Sequence, residues 1–207
     1  MEPKLAKLAQ QLNLRNAPDC RLSPVILMSD DKRLPDPHQA LTKLPKGSTL
    51  VFRHYDAPDR AQQALILRKI CRRLGHRFFV AADILLAVRL QADGLHMPGY
   101  IQKTPDALLN TAKKHGLMVS AAIHEMPQLR HLLAFGRNID AAIISPLFAT
   151  QSHPGASCLG YAKFERMAHL ATCHGIGVYA MGGVDISKGH MLGKLPICGI
   201  AGIGFAT

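Results

Sequence analysis

GVYAMGGVD at residues 177–185 and GIAGIGFAT at residues 199–207 decide how this chain reads. Each is a short run of apolar residues that stops in glycines, the pattern of a buried strand whose end leaves backbone N–H groups uncovered by any Cβ. Bare amides at two adjacent strand ends make a cradle for a phosphate. In a barrel of alternating strands and helices, such a cradle sits after strands seven and eight.

Upstream of that stretch the alternation runs unbroken. Leu5, Leu8, Ala9 and Leu12 recur at helical spacing and predict an amphipathic helix over 4–14. Strand one is expected at 24–28, closed by Ser29, Asp30 and Asp31, with a short helix at 38–44 and strand two at 49–53. Pro58 sits just inside the next helix, whose apolar Ala64, Leu65, Leu67, Ile70, Cys71 and Leu74 run to a stop at Gly75. Further strands follow at 78–81, 94–96, 118–122 and 141–144, with helices at 83–90, 105–115, 126–135 and 161–174. Eight strands joined in this way pair in parallel through right-handed crossovers. The fold expected is an α/β protein, a closed (β/α)8 TIM barrel. Strand eight is followed by no helical pattern before Thr207, so the helix at 4–14 is expected to replace the missing eighth outer helix. The organisation expected is a helix and connector over 1–22 and a barrel over 23–207, one domain in all.

Composition narrows the class. With 207 residues, 48% of them hydrophobic, the chain can bury one substantial core. Cys20, Cys71, Cys158, Cys173 and Cys198 show no C-x-x-C spacing, so neither a zinc site nor a disulfide framework is indicated. No apolar run is long enough to span a bilayer and no signal peptide is evident, so a cytoplasmic protein without membrane partners is expected. The net charge of +11 fits small phosphorylated ligands. Arg68, Lys69, Arg72, Arg73 and Arg77 form the densest basic cluster, yet no aromatic platform is interleaved and the chain has no Trp. A solvated helix face is expected there, and no nucleic-acid partner; self-association stays open.

The strand ends carry side chains suited to a site. Arg53 ends strand two, where a guanidinium turned into a barrel mouth calls for an anionic partner. His124 follows strand five, and an imidazole titrating near neutrality suits proton transfer. His96 closes strand four. Asp83, between strand three and its helix, has the position of both an N-cap and a metal ligand. The loop at 145–160, which holds Thr150 and His153, is long enough to act as a lid.

Taken in order, these strand ends resemble the thiamine phosphate synthase family, which includes the TenI-like thiazole tautomerases. The resemblance covers 24–207 and rests on VFRH at 51–54, ADILLA at 82–87, ADGLH at 92–96, IHEM at 123–126, Asp140 with SPLFAT at 145–150, LGY at 159–161 and AMGGV at 180–184. It implies a thiazole phosphate on the loops after strands seven and eight, held by Gly182, Gly183, Ile203 and Gly204. It also implies a pyrimidine diphosphate with Mg²⁺ on the other side of the mouth. Arg53 matches the arginine that contacts the diphosphate, Asp83 one Mg²⁺-binding aspartate, Thr150 the threonine of the strand-six loop, and His124 the acid/base of the tautomerases.

Departures from the family pattern cluster on the diphosphate side. Tyr55 stands where a lysine is expected, Ala82 for an asparagine and Ile101 for the second Mg²⁺ aspartate, while Ala122 replaces a serine and His153 a lysine. The resemblance therefore implies three functions: joining pyrimidine diphosphate to thiazole phosphate with loss of pyrophosphate, weakened by these replacements; thiazole tautomerisation through His124; or phosphate-ligand binding or regulation without turnover.

Overall fold

A computed structural model describes residues 1–17, 22–99, 106–134, 138–150 and 157–204. The strands are β1 (Val25–Met28), β2 (Thr49–Phe52), β3 (Arg77–Ala81), β4 (Gly94–Met97), β5 (Met118–Ile123), β6 (Ala141–Ile144), β7 (Gly177–Met181) and β8 (Gly199–Gly202). They pair in parallel in sequence order, and β8 returns beside β1 to close the barrel. The helices are α1 (Pro3–Asn16), α2 (His38–Thr42), α3 (Arg60–Leu74), α4 (Ile84–Arg89), α5 (Asp106–Lys114), α6 (Met126–Leu133), α7 (Tyr161–Cys173) and α8 (Gly189–Leu192).

Side-chain alternation along the strands divides the apolar residues into two layers. Val51, Phe79, Met118, Ile143 and Tyr179 pack together inside the barrel with Ile26 and Met28. Their neighbours Leu27, Leu50, Phe52, Phe78 and Val80 face the helices. A period of two explains why these strands read as continuous apolar runs: both faces are covered.

Helix α1 lies against β8 and β1, the position the sequence assigned to it. It buries Leu5, Ala9 and Leu12 and caps the chain entering β8. Asn13 Nδ2 donates to the Cys198 carbonyl at 2.8 Å, Asn16 Nδ2 to Ile197 at 2.6 Å, and Arg15 to Gly193 and Leu195. Leu12→Ala in this seam should cost about 2–5 kcal/mol, as large-to-small core substitutions do.

Element ends agree with the sequence expectation to within about two residues. Between β7 and β8 the chain forms a 3-10 turn at Ile186–Lys188 and the four-residue α8. Among the described residues no helix is long and apolar enough to cross a membrane.

Candidate active site

The loops after the strand C-termini form the barrel mouth. On its β5–β7 side, His124 directly follows β5 and is exposed, its backbone N–H fixed by Gln128 Oε1 at 2.7 Å. Its Nδ1 lies 3.0 Å from the Ser145 carbonyl oxygen and 3.3 Å from Ser145 Oγ, at the end of β6. A carbonyl only accepts, so Nδ1 carries the proton and Nε2 of the neutral ring is left as the base. Gly99 leaves room beside that nitrogen, since a Cβ there would come within 2.9 Å of Nε2.

The glycine corner after β7 is built against the same loop. Leu147 N–H donates to the Met181 carbonyl at 2.8 Å and Phe148 N–H to that of Gly182 at 3.1 Å. Gly182 has φ +95° and Gly183 φ +62°, and a Cβ on Gly182 would meet Pro146 at 2.7 Å. A Cβ on Gly183 would meet the Ala149 carbonyl at 2.5 Å. Both glycines are thus required by close backbone packing as well as by conformation. Lys188 Nζ donates to the Gly183 carbonyl at 2.6 Å and to Asp185, and lies 4.9 Å over the Phe148 ring. The corner carbonyls are engaged, whereas among the described residues neither the Gly182 nor the Gly183 amide donates to a protein acceptor. Ile203 is half-buried and Gly204 exposed at the end of β8 beside them.

The β1–β3 side differs in kind. Arg53 is mostly buried, and its anionic partner is internal: Nη2 lies 3.2 Å from Asp30 Oδ2, while Nε donates to the Ser29 carbonyl at 2.8 Å. Burial pulls the guanidinium below its ordinary pKa, with Tyr55 and Asp30 opposing. Arg33 shares the same carboxylate oxygen at 2.8 Å. Burial alone would raise the Asp30 pKa, but hydrogen bonds from the Arg33 side chain and from the backbone of Arg33 and Lys32 outweigh it and hold the carboxyl well below the usual range.

Asp83 serves as the N-cap of α4, its Oδ1 accepting from Leu86 N–H at 2.9 Å. Its Oδ2 takes Arg60 Nη1 at 3.0 Å. A divalent cation does not fit this carboxylate as it stands, since one oxygen accepts from the Leu86 amide and the other from the Arg60 guanidinium. Ile101 and His153 lie outside the described residues.

His96 lies between the two sides. Its side chain is almost wholly buried, with Nδ1 3.0 Å from Ser120 Oγ on the neighbouring strand. Burial, then the charges of Arg53 and His124, push its pKa down to about 3. It is a neutral group inside the barrel.

The structure therefore brings His124, Gly182 and Gly183 into one continuous surface through Ser145–Ala149, with Thr150 next along the chain. Arg53 and Asp83 stand apart in ion pairs of their own. Three participants lie outside the sequence motifs, Asp30, Arg60 and Gly99, and Ser145 opens the SPLFAT stretch with no role assigned to it by the sequence. Arg60 does leave one signal, because a cation in the first turn of a helix opposes the helix dipole and needs another reason to be there. At the opposite end of the barrel a cavity is lined by Asn16, Asp140, His174 and Cys198 among others. Asp140 there accepts from Val119 N–H at 2.7 Å, a structural role on the stability face of the fold.

Comparison with known proteins gives consistent matches. A family model described as thiamine monophosphate synthase (TMP-TENI) matches residues 26–205. The chain is 27% identical over 163 residues to a candidate thiamine-phosphate synthase 2 of Aquifex aeolicus (strain VF5), covering 77% of this chain and 83% of the relative. It is 27% identical over 151 residues to the thiamine-phosphate synthase of Latilactobacillus sakei subsp. sakei (strain 23K), covering 72% and 64%. Among solved structures, thiamine phosphate pyrophosphorylase from Pyrococcus furiosus superposes with a TM-score of 0.69 at 22% identity, over 92% of this chain and 88% of that one. At that identity the likeness shows the shared fold.

Proposed function

The chain belongs to the thiamine monophosphate synthase family, and from that premise we propose that it acts in thiamine biosynthesis by binding a phosphorylated thiazole and moving a proton on it with His124. The observation that carries this is the fixed tautomer of His124. Nδ1 lies 3.0 Å from the Ser145 carbonyl oxygen, which supports Nε2 of this exposed residue as the base. A general base must come within hydrogen-bond reach of the proton it takes, and a solvent-facing imidazole at the barrel mouth is open to such an approach.

The phosphate is assigned to the amides of Gly182 and Gly183 with the backbone of Ile203 and Gly204, and Thr150 borders the same loop. Bound there, a thiazole carboxylate phosphate would present its ring toward His124. Nε2 accepts a proton from one ring position, and the imidazolium returns it to another. No atom is gained or lost, and neither a metal nor a diphosphate takes part.

A second function is favoured by the names of the relatives: joining a pyrimidine diphosphate to thiazole phosphate. It would draw on Arg53 and Asp83, and both already hold internal partners. Incubating a thiazole carboxylate phosphate in D₂O with EDTA and following its ring signals by NMR tests the proposal. Isomerisation with deuterium uptake is expected, slowed roughly 10²–10⁴-fold in His124→Gln, the range of general acid–base contributions. Pyrophosphate release that needs a pyrimidine diphosphate and Mg²⁺, in a protein that leaves the thiazole protons untouched, would replace it with the second function. Tight binding of thiazole phosphate without either reaction would leave a binding barrel.

A further inference from the structure

We infer that Arg60 is a built-in cation occupying the place of a divalent ion at Asp83, so that the β1–β3 side of the mouth takes the phosphate or diphosphate group of a ligand without metal. This rests on the proposal that the mouth binds a phosphorylated molecule.

The geometry around Arg60 is that of a fixed charge. Nη1 donates to Asp83 Oδ2 at 3.0 Å and Nη2 to the Ala81 carbonyl at 2.7 Å. The guanidinium carbon lies 5.8 Å from the Phe52 ring centroid and 6.0 Å from that of Tyr55. Two rings, a carbonyl and a carboxylate therefore set its orientation, as befits a planar, permanently charged group. The side chain is 17% exposed, against 36% for Asp83.

Donor capacity remains after these contacts. A guanidinium has five N–H groups, and the two bonds above engage one hydrogen on each terminal nitrogen. Nε is buried without a partner. No further acceptor for Nη1 or Nη2 occurs among the described residues, which leaves one further hydrogen on each for the oxygens of a phosphate, the forked recognition for which arginine is suited.

The surrounding sequence fits the exchange. Both carboxylate oxygens of Asp83 are engaged, one by the α4 amide and one by Arg60. A dication placed against the same carboxylate would meet the guanidinium's repulsion at contact distance. Tyr55, at the position where the family resemblance expects a lysine, here supplies a ring face to Arg60. The charge lost with that lysine returns from the first turn of α3.

Titration calorimetry with inorganic pyrophosphate, in EDTA and then in Mg²⁺, tests this on the full chain. In EDTA the wild type is expected to bind. Arg60→Gln should weaken binding by roughly tenfold or more, the scale of a hydrogen bond to a charged group. Asp83→Asn keeps an N-cap acceptor and removes a neighbouring negative charge, so its affinity should stay equal or rise. Arg60→Lys should fall between, and thermal melting confirms that each variant is folded. No pyrophosphate binding by the wild type in EDTA, or an Asp83→Asn loss that appears only with Mg²⁺, would overturn the inference. Thiazole proton exchange at His124 is read separately and is unaffected by either result.

Discussion

The two sides of the barrel mouth were assembled from equally polar strand ends, yet they hold their polar groups in different states. Around β1–β3, Arg33 and Arg53 share the Asp30 carboxylate, and Arg60 closes on Asp83. Around β5–β7, His124 is exposed and two glycine amides have no acceptor among the described residues. Groups that neutralise one another in advance bind a ligand only through what is left over, whereas uncommitted donors and a free lone pair are available in full. Departures from the family pattern fall on both sides, with Tyr55 and Ala82 on the first and Ala122 in β5 on the second.

Gly182→Ala should break the β5–β7 side most severely. Its φ of +95° disfavours any side chain, and the new Cβ would meet Pro146. The combined cost of strain and overpacking is about 2–4 kcal/mol, read as a lower urea midpoint. Thiazole phosphate binding should be lost with it. Retained binding would mean that the phosphate sits elsewhere and that this side is no more committed to a ligand than the other.

How far the sequence reached follows from the range of the interactions. Strands, helices and closure were legible because they depend on local periodicity and on the alternation of elements. The glycine corner was legible too, since Gly182 and Gly183 stand adjacent in the chain. What escaped notice joins distant residues: Arg60 with Asp83 is a separation of 23, and His124 with Ser145 one of 21. Spacing identified Asp83 as either cap or ligand, and only the partner on its second oxygen shows the cap joined to a salt bridge. For Arg53 the sequence pointed to an anionic partner at the barrel mouth, and the structure pairs it with Asp30, 23 residues away.

A smaller effect concerns His96, inside the barrel between the two sides. Its pKa in the folded protein is about 3, below the ordinary value near 6.5, because the folded state holds it neutral. Between those two values the unfolded chain binds more protons, so stability should fall as pH drops from about 6.5 toward 3. His76 is also buried, accepts no proton readily and adds in the same direction. Urea midpoints at pH 7 and pH 5 should differ in the wild type, and the difference should shrink in His96→Gln. An unchanged slope would mean that His96 is solvated and that the two sides are separated by water rather than by a neutral wall.

Ala82 gives the finest test, because it lies at the corner leading into Asp83 with φ +62°, a conformation in which Cβ is unfavourable. Asparagine tolerates that region, and the family resemblance expects one at this place. Alanine keeps the backbone shape and gives up the side chain. Ala82→Asn should therefore raise stability by roughly 1 kcal/mol, at the low end of the cost of a non-glycine residue there. If Arg60 already neutralises Asp83, the same substitution should leave pyrophosphate affinity in EDTA unchanged and should create no Mg²⁺ dependence. Stability gained together with Mg²⁺-dependent binding would show that the β1–β3 side is one residue from a metal site, and the contrast between the two sides would then rest on Ala82 rather than on Arg60.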